Sequence, residues 1–173
     1  MQHAPVSILK ASTEFVKMFN STVRPSPTSF LKKINQRHMI YILKGILEMP
    51  QNHFKMQENV AFLWVNEVCR TVLDRFSNTR EQKDLFEKVK VIASNCFRVR
   101  ERILPANCDE PHFCYGLPDM EDSYIEKPRE QKMHNVLTEC LIDYNKHNTG
   151  NEIEVIIFNT IIDKTIKISR SLR

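Results

Sequence analysis

The sequence predicts a mainly α fold: a helical bundle with a long irregular connector and a C-terminal helix. Apolar residues recur at three- and four-residue spacings over most of the 173 positions, the signature of helices that bury one face. Only three glycines are present, Gly45, Gly116 and Gly150, which argues against a β-sandwich, a barrel or a glycine-rich phosphate cradle. Hydrophobic residues make up 42% and charged residues 27%, the range of globular rather than disordered chains. A compact chain of this length buries roughly 70% of the surface its unfolded form exposes, enough for one domain or parts of two.

The elements follow in order. Ile8, Leu9, Phe15, Val16 and Phe19 share one face of a first helix from Val6 to about Asn20, broken by Pro25, Ser26, Pro27 and Thr28. Asn35 is a good N-cap for a second helix carrying Met39, Ile42, Leu43, Ile46 and Leu47, ended by Pro50. Between Met56 and Phe76, Val60, Trp64, Val68, Val72 and Phe76 repeat every four residues. Phe62, Leu63, Val65, Cys69 and Leu73 widen that stripe, so one uninterrupted third helix is expected. Thr79 and Gln82 have capping-box spacing and open a fourth helix with Leu85, Val89 and Ile92. From Asn95 to Lys127 the periodicity fades among Pro105, Pro111, Gly116 and Pro118, leaving an irregular connector with aromatic anchors Phe113, Tyr115 and Tyr124. Pro128 suits the first turn of a fifth helix with Met133, Leu137, Cys140, Leu141 and Tyr144 on one face and Gly150 past its end. Val155, Ile156 and Ile157 favour an extended piece, which leads into a last helix with Phe158, Ile161, Ile162, Thr165, Ile166 and Ser169.

Charge and cysteine usage bound the function. The net charge of +4 is mild and its acids and bases are interspersed, so a nucleic-acid partner is not expected. The first thirty residues hold no signal-peptide core, and no apolar run approaches the ~20 residues of a membrane span. Five cysteines without small-scaffold spacing fit a reducing compartment with free thiols, so an intracellular, soluble chain is expected.

The chemical motifs are mostly absent. No G-x-x-x-x-G-K-[ST] loop occurs, so the backbone N–H cradle and the lysine that reach phosphates are missing, and no catalytic residue is assigned. Cys96, Cys108, His112 and Cys114 would be the ligands of any zinc, but they contain no C-x-x-C knuckle, and ordinary loop residues are the favoured reading. Cys69 and Cys140 sit on helix stripes as small core residues, while His134 and His147 are expected to be solvated. Lys164, Lys167, Arg170 and Arg173 repeat every three residues as one basic face of the last helix, solvated by expectation or else turned to phosphate or a partner.

The run Leu63-Trp64-Val65-Asn66-Glu67-Val68-Cys69-Arg70-Thr71-Val72-Leu73-Asp74-Arg75-Phe76 resembles the dynein heavy-chain pattern L-W-x-H-E-x-x-R-V-F-x-D-R-L. It matches at Leu63, Trp64, Glu67, Arg70, Asp74 and Arg75, with Asn66 in place of the usual histidine. Ile34-Asn35-Gln36-Arg37-His38 through Gly45-Ile46-Leu47 is similar to F-N-L-R-D…Q-G-L/I-L of that family. Leu141-Ile142-Asp143-Tyr144-Asn145 is similar to its L-x-D-Y-N, and Ile156-Ile157-Phe158 through Lys167-Ile168-Ser169-Arg170 to its V-L-F…R-I-x-R. The style looks more axonemal than cytoplasmic.

The resemblance implies a bundle of AAA+ lid type, running from the third AAA+ module toward the fourth. Residues 1–27 would end a large subdomain, 28–95 would form the lid helices, 96–127 the connector and 128–173 the lead-in to the next module. The chain stops where the family continues into its glycine-rich loop. Arg37 would face nucleotide, with His38 standing where the family has aspartate, and Val155, Ile156 and Ile157 would lie against adenine of the next module, plain core being the competing reading. Trp64, Glu67, Arg70, Asp74 and Arg75 would be a structural signature. Lys164 and Lys167 depart from the family's histidine and arginine. No cofactor is implied for the chain alone; ATP or ADP with Mg belongs to the parent ring, whose implied setting is the cytoskeleton and ciliary axoneme. Neighbouring AAA+ modules, the dynein complex and microtubules are the implied partners, with no membrane. The alternative is an independent helical protein-interaction module, using an apolar groove or the basic last helix.

Overall fold

The computed structural model describes residues 3–24, 34–115 and 124–171. Pro25, Ser26, Pro27, Thr28, Gly116, Pro118 and Arg173, invoked above, lie outside the described residues. The fold is mainly α, with six α-helices and one two-stranded sheet among the described residues. The chain divides into two compact units, Met1–Asp109 and Glu110–Arg173.

In the first unit, α1 (His3–Thr22) buries Ile8, Ala11, Phe15 and Phe19 along one stripe. Next comes α2 (Gln36–Leu47), which starts as its sequence predicts: the Asn35 side chain accepts from the Arg37 and His38 backbone N–H groups. Pro50 precedes a short 3-10 helix, Gln51–Lys55. The hub is α3 (Gln57–Thr71), buried on every side from Val60 to Cys69 except at half-buried Phe62.

Three boundaries differ from the sequence expectation. The third helix was expected to run to Phe76, yet the α-geometry ends at Thr71 and a 3-10 turn, Leu73–Arg75, follows. Two adjacent β-branched residues, Thr71 and Val72, weaken the helix there, and the Leu73 carbonyl is taken by the Gln82 side-chain amide at 3.3 Å. The fourth helix, α4 (Thr79–Phe97), is capped by Asn78, one residue before the expected cap. Asn78 Oδ1 accepts from Arg80 N at 3.0 Å, while Gln82 points inward instead of closing a capping box. This helix ends on Arg98 in the left-handed conformation, φ 55°, with Val99 N–H bonded back to Ser94 O at 3.2 Å.

The second unit holds the third difference and an element the sequence did not announce. Within the expected connector, β1 (Phe113–Tyr115) pairs antiparallel with β2 (Tyr124–Glu126), Cys114 opposite Ile125. The ladder carries on, with Lys127 N–H donating to His112 O at 2.8 Å. That bond and the restriction Pro128 places on its predecessor keep the chain extended, so α5 (Glu130–His147) starts after Pro128 rather than around it. A stretch with no assigned helix or strand, residues 152–158, then leads into α6 (Asn159–Ser171), the last helix the sequence predicts. Cys114, Met133, Ile162 and Ile166 form this unit's core, with Ile125, Val136, Leu137 and Ile157 packed against it.

Candidate functional site

The first candidate, Arg37, occupies the first turn of α2 and is exposed. Beside it His38 is half-buried, and its ring is shared between two elements. Nδ1 accepts from the Asn35 backbone N–H at 3.3 Å, and Nε2 meets Arg75 Nη1 of the 3-10 turn. Burial, then the charges of Arg75 and Arg37, hold the imidazole pKa below its ordinary 6.5. The structure therefore brings Arg75 onto His38, whose sequence neighbour Arg37 also acts on the ring, a meeting that no local sequence pattern announces. Asp74, next along, is exposed.

The remaining signature residues lie in the hub. Trp64 is fully buried, edge-on to Phe15 at 6.2 Å and tilted over Phe97 at 5.9 Å, and its Nε1–H donates to Ser12 Oγ at 3.0 Å. Glu67 is fully buried, and its Oε2 accepts from Arg70 Nε at 3.1 Å and Nη2 at 2.8 Å. Asn66 Nδ2 donates to the other oxygen at 3.4 Å. A carboxylate without solvent is kept by these donors, and Arg70, 28% exposed, carries the compensating charge outward.

The second unit presents the other candidates. Val155 and Ile156 are exposed, Ile156 at 84%, so plain core is not their role within this chain, whereas Ile157 packs on the unit's core. The side chain of Asn145 holds the start of the segment before α6 by bonding both Ile153 N and Ile153 O at 3.0 Å. Beyond it, the backbone groups of 154–157 make no hydrogen bond among the described residues.

Two expectations for this unit are corrected. Arg170 is buried, 7% exposed, with its guanidinium 4.5 Å from the Tyr115 ring and 4.3 Å from the Tyr124 ring. The buried stripe of α6 runs Ile162, Ile166, Arg170 at four-residue spacing, and a three-residue repeat drifts around the helix onto it. Lys164 remains exposed and Lys167 half-buried. Cys140, expected in the core, is exposed, because among the residues of α5 only Met133 is buried. His134 and His147 are exposed, as expected.

The other cysteines are buried thiols. Cys69 lies in the hub, and Cys96 donates to Glu14 Oε2 at 3.2 Å. Burial first, and then Glu14, push the Cys96 pKa to about 11; burial does the same to Cys114, also to about 11. Among the described residues, no group of three or more His, Cys, Asp and Glu is placed to hold a metal ion. Nor is any described helix long and apolar enough to cross a membrane. An apolar groove of about 500 Å³ lies between α1, α2 and the Gln51–Lys55 turn, with Leu9, Leu43, Leu47 and Phe54 among its walls.

Against known proteins, no family model and no solved structure matches. Curated proteins do. The chain is 24% identical to human dynein axonemal heavy chain 12 over 183 aligned positions, covering 96% of this chain and 6% of that protein. It is 25% identical to human dynein axonemal heavy chain 1 over 175 positions, covering 99% of this chain and 4% of that protein. With mouse dynein axonemal heavy chain 3 it shares 31% identity over 81 positions, 46% of this chain and 2% of that protein. The chain thus spans only a small fraction, 4% to 6%, of the length of the first two relatives. The chain is similar to axonemal dynein heavy chains along nearly its whole length.

Proposed function

We propose that this chain is a non-catalytic lid and inter-module segment of a dynein heavy-chain motor, acting in ATP-driven, microtubule-based ciliary movement of the parent protein. The observation that carries the reading is the Leu63–Arg75 run. Of the residues that match the dynein pattern, Leu63, Trp64 and Glu67 are buried in the hub of the first unit with Arg70 paired to Glu67, and the run ends with Arg75 against the turn that bears Arg37. A motif spent on the core of a lid transmits rigid-body motion; it does no bond chemistry.

ATP or ADP with Mg is the group the resemblance implies in the parent ring, and residues here suit it. Arg37 is exposed, without a carboxylate partner among the described residues, and its planar fork matches a phosphate. At 154–157, backbone N–H and C=O groups that make no hydrogen bond among the described residues lie beside exposed Val155 and Ile156, which suits the polar edge and the flat face of a purine. The bound nucleotide would supply the energy of the parent's cycle. This chain's part is to sense it from the lid side and pass the state to neighbouring AAA+ modules. The dynein complex and microtubules are partners of the parent, in the ciliary axoneme.

The test is ATP hydrolysis by the purified chain. No turnover above buffer is expected; robust hydrolysis that a substitution within this chain abolishes would refute the reading.

A further inference from the structure

At the start of α2, two arginines act on one histidine ring. Arg37 and Arg75 are both exposed, and neither is paired with a carboxylate among the described residues. Between them the His38 ring has an N–H donor at each nitrogen: Asn35 N–H at Nδ1, 3.3 Å away, and Arg75 at Nε2. A neutral imidazole carries one lone pair and one N–H, so it accepts only one of two such donors. The protonated ring accepts neither. In every protonation state at least one pair of donors is opposed, and the guanidinium charges add repulsion.

The backbone does not relieve this. Asn35 Oδ1 already takes the Arg37 and His38 N–H groups at 3.1 and 3.3 Å, so an anion here would be held by side chains. A tetrahedral oxyanion has acceptors enough for both arginines and for the ring's N–H, and such charge-assisted bonds are the strong ones. We propose that Arg37, His38 and Arg75 form a seat for a phosphate-type dianion, and that His38 takes up a proton as the anion docks. This rests on the reading of Arg37 as phosphate-facing, and adds a second arginine and a proton-coupled regulation to it.

The charged groups acting on the ring are Arg75 from the 3-10 turn and Arg37 from its own helix, and both disfavour its protonation. A dianion between them reverses that influence. By linkage, an anion that raises the ring's pKa binds more tightly as the pH falls from the raised pKa of the bound ring toward that of the free ring, which lies below the ordinary 6.5.

Sulfate is the probe, because its charge is constant across this range. The full chain is titrated with sulfate at fixed ionic strength at about pH 5.5 and about pH 7.5, and the His38 ring is followed by NMR. Sulfate should raise the His38 pKa and bind about tenfold more tightly at the lower pH, the equivalent of about one pKa unit. His38→Gln should bind with no pH dependence, and Arg75→Ala should bind weakly at both values. Far-UV circular dichroism checks that these variants keep their helices. If Arg37→Ala abolishes binding while Arg75→Ala, His38→Gln and pH have no effect, the inference is overturned and the Arg37 reading stands. If the wild-type chain binds no sulfate at either pH, both are overturned.

Discussion

Removing Arg70 takes two charge-assisted donors from a buried carboxylate. Glu67 is fully buried and Arg70 supplies two of its hydrogen bonds, at 2.8 and 3.1 Å, both shorter than the Asn66 bond. Breaking a buried pair from one side typically costs about 3–5 kcal/mol. Arg70 is 28% exposed, so Arg70→Ala admits water toward Glu67, which places the expected loss near the lower end, about 3 kcal/mol. Glu67→Gln removes the charge itself. In that background Arg70→Ala should cost about 1 kcal/mol or less, giving a coupling of about 2 kcal/mol in a double-mutant cycle. The assay is urea unfolding of the full chain followed by tryptophan fluorescence. Trp64 is the single tryptophan and lies in the same helix, so the signal reports the first unit. A loss under about 0.5 kcal/mol for Arg70→Ala, or additive single and double variants, would refute the argument that the pair sustains the hub.

Other expectations follow from the same packing. Trp64→Ala should lose about 3–5 kcal/mol by urea unfolding followed by circular dichroism, since it vacates the space between Phe15 and Phe97 and leaves Ser12 without its donor; a loss below about 1 kcal/mol would contradict the assigned burial. Arg98→Gly should stabilise by about 0.5–1 kcal/mol, because glycine adopts φ 55° without the Cβ penalty; a raised midpoint in thermal unfolding checks it, and a lowered one counts against the left-handed cap. Alkylation at mildly alkaline pH should modify Cys140 first, read by peptide mass spectrometry. Cys96 and Cys114 are buried, with thiol pKa values near 11, and should react only on unfolding; early loss of either thiol would contradict their placement.

How much of this the sequence disclosed depends on how local each cause is. The α2 start was legible because Asn35 and the apolar repeat after it act within a few residues. The hub was legible because a helix buried on all sides leaves an apolar record on every face around Trp64. The fourth helix shows the limit of that logic: Asn78 and Thr79 are both good caps in adjacent positions, and the fate of Gln82 was decided by Leu73 and Asp109, far outside the motif. The hairpin escaped notice because its strands are three residues long, too short for alternation to register. Arg170 was misjudged since its partners Tyr115 and Tyr124 are distant in the chain. The candidate site divides the same way. Arg37 was singled out only through the family resemblance, and its neighbour Arg75 only as a signature residue; their meeting at His38 is a tertiary fact.

The central claim, that this is a lid segment leading into another module of a dynein motor, is tested most directly by reading the transcript frame past codon 173. The account predicts a G-x-x-G-x-G-K-[ST] loop within about twenty codons, since the phosphate cradle of the next module belongs there. An immediate stop codon, or a continuation with no such loop, would contradict it and make partner binding by a separate helical module the leading account.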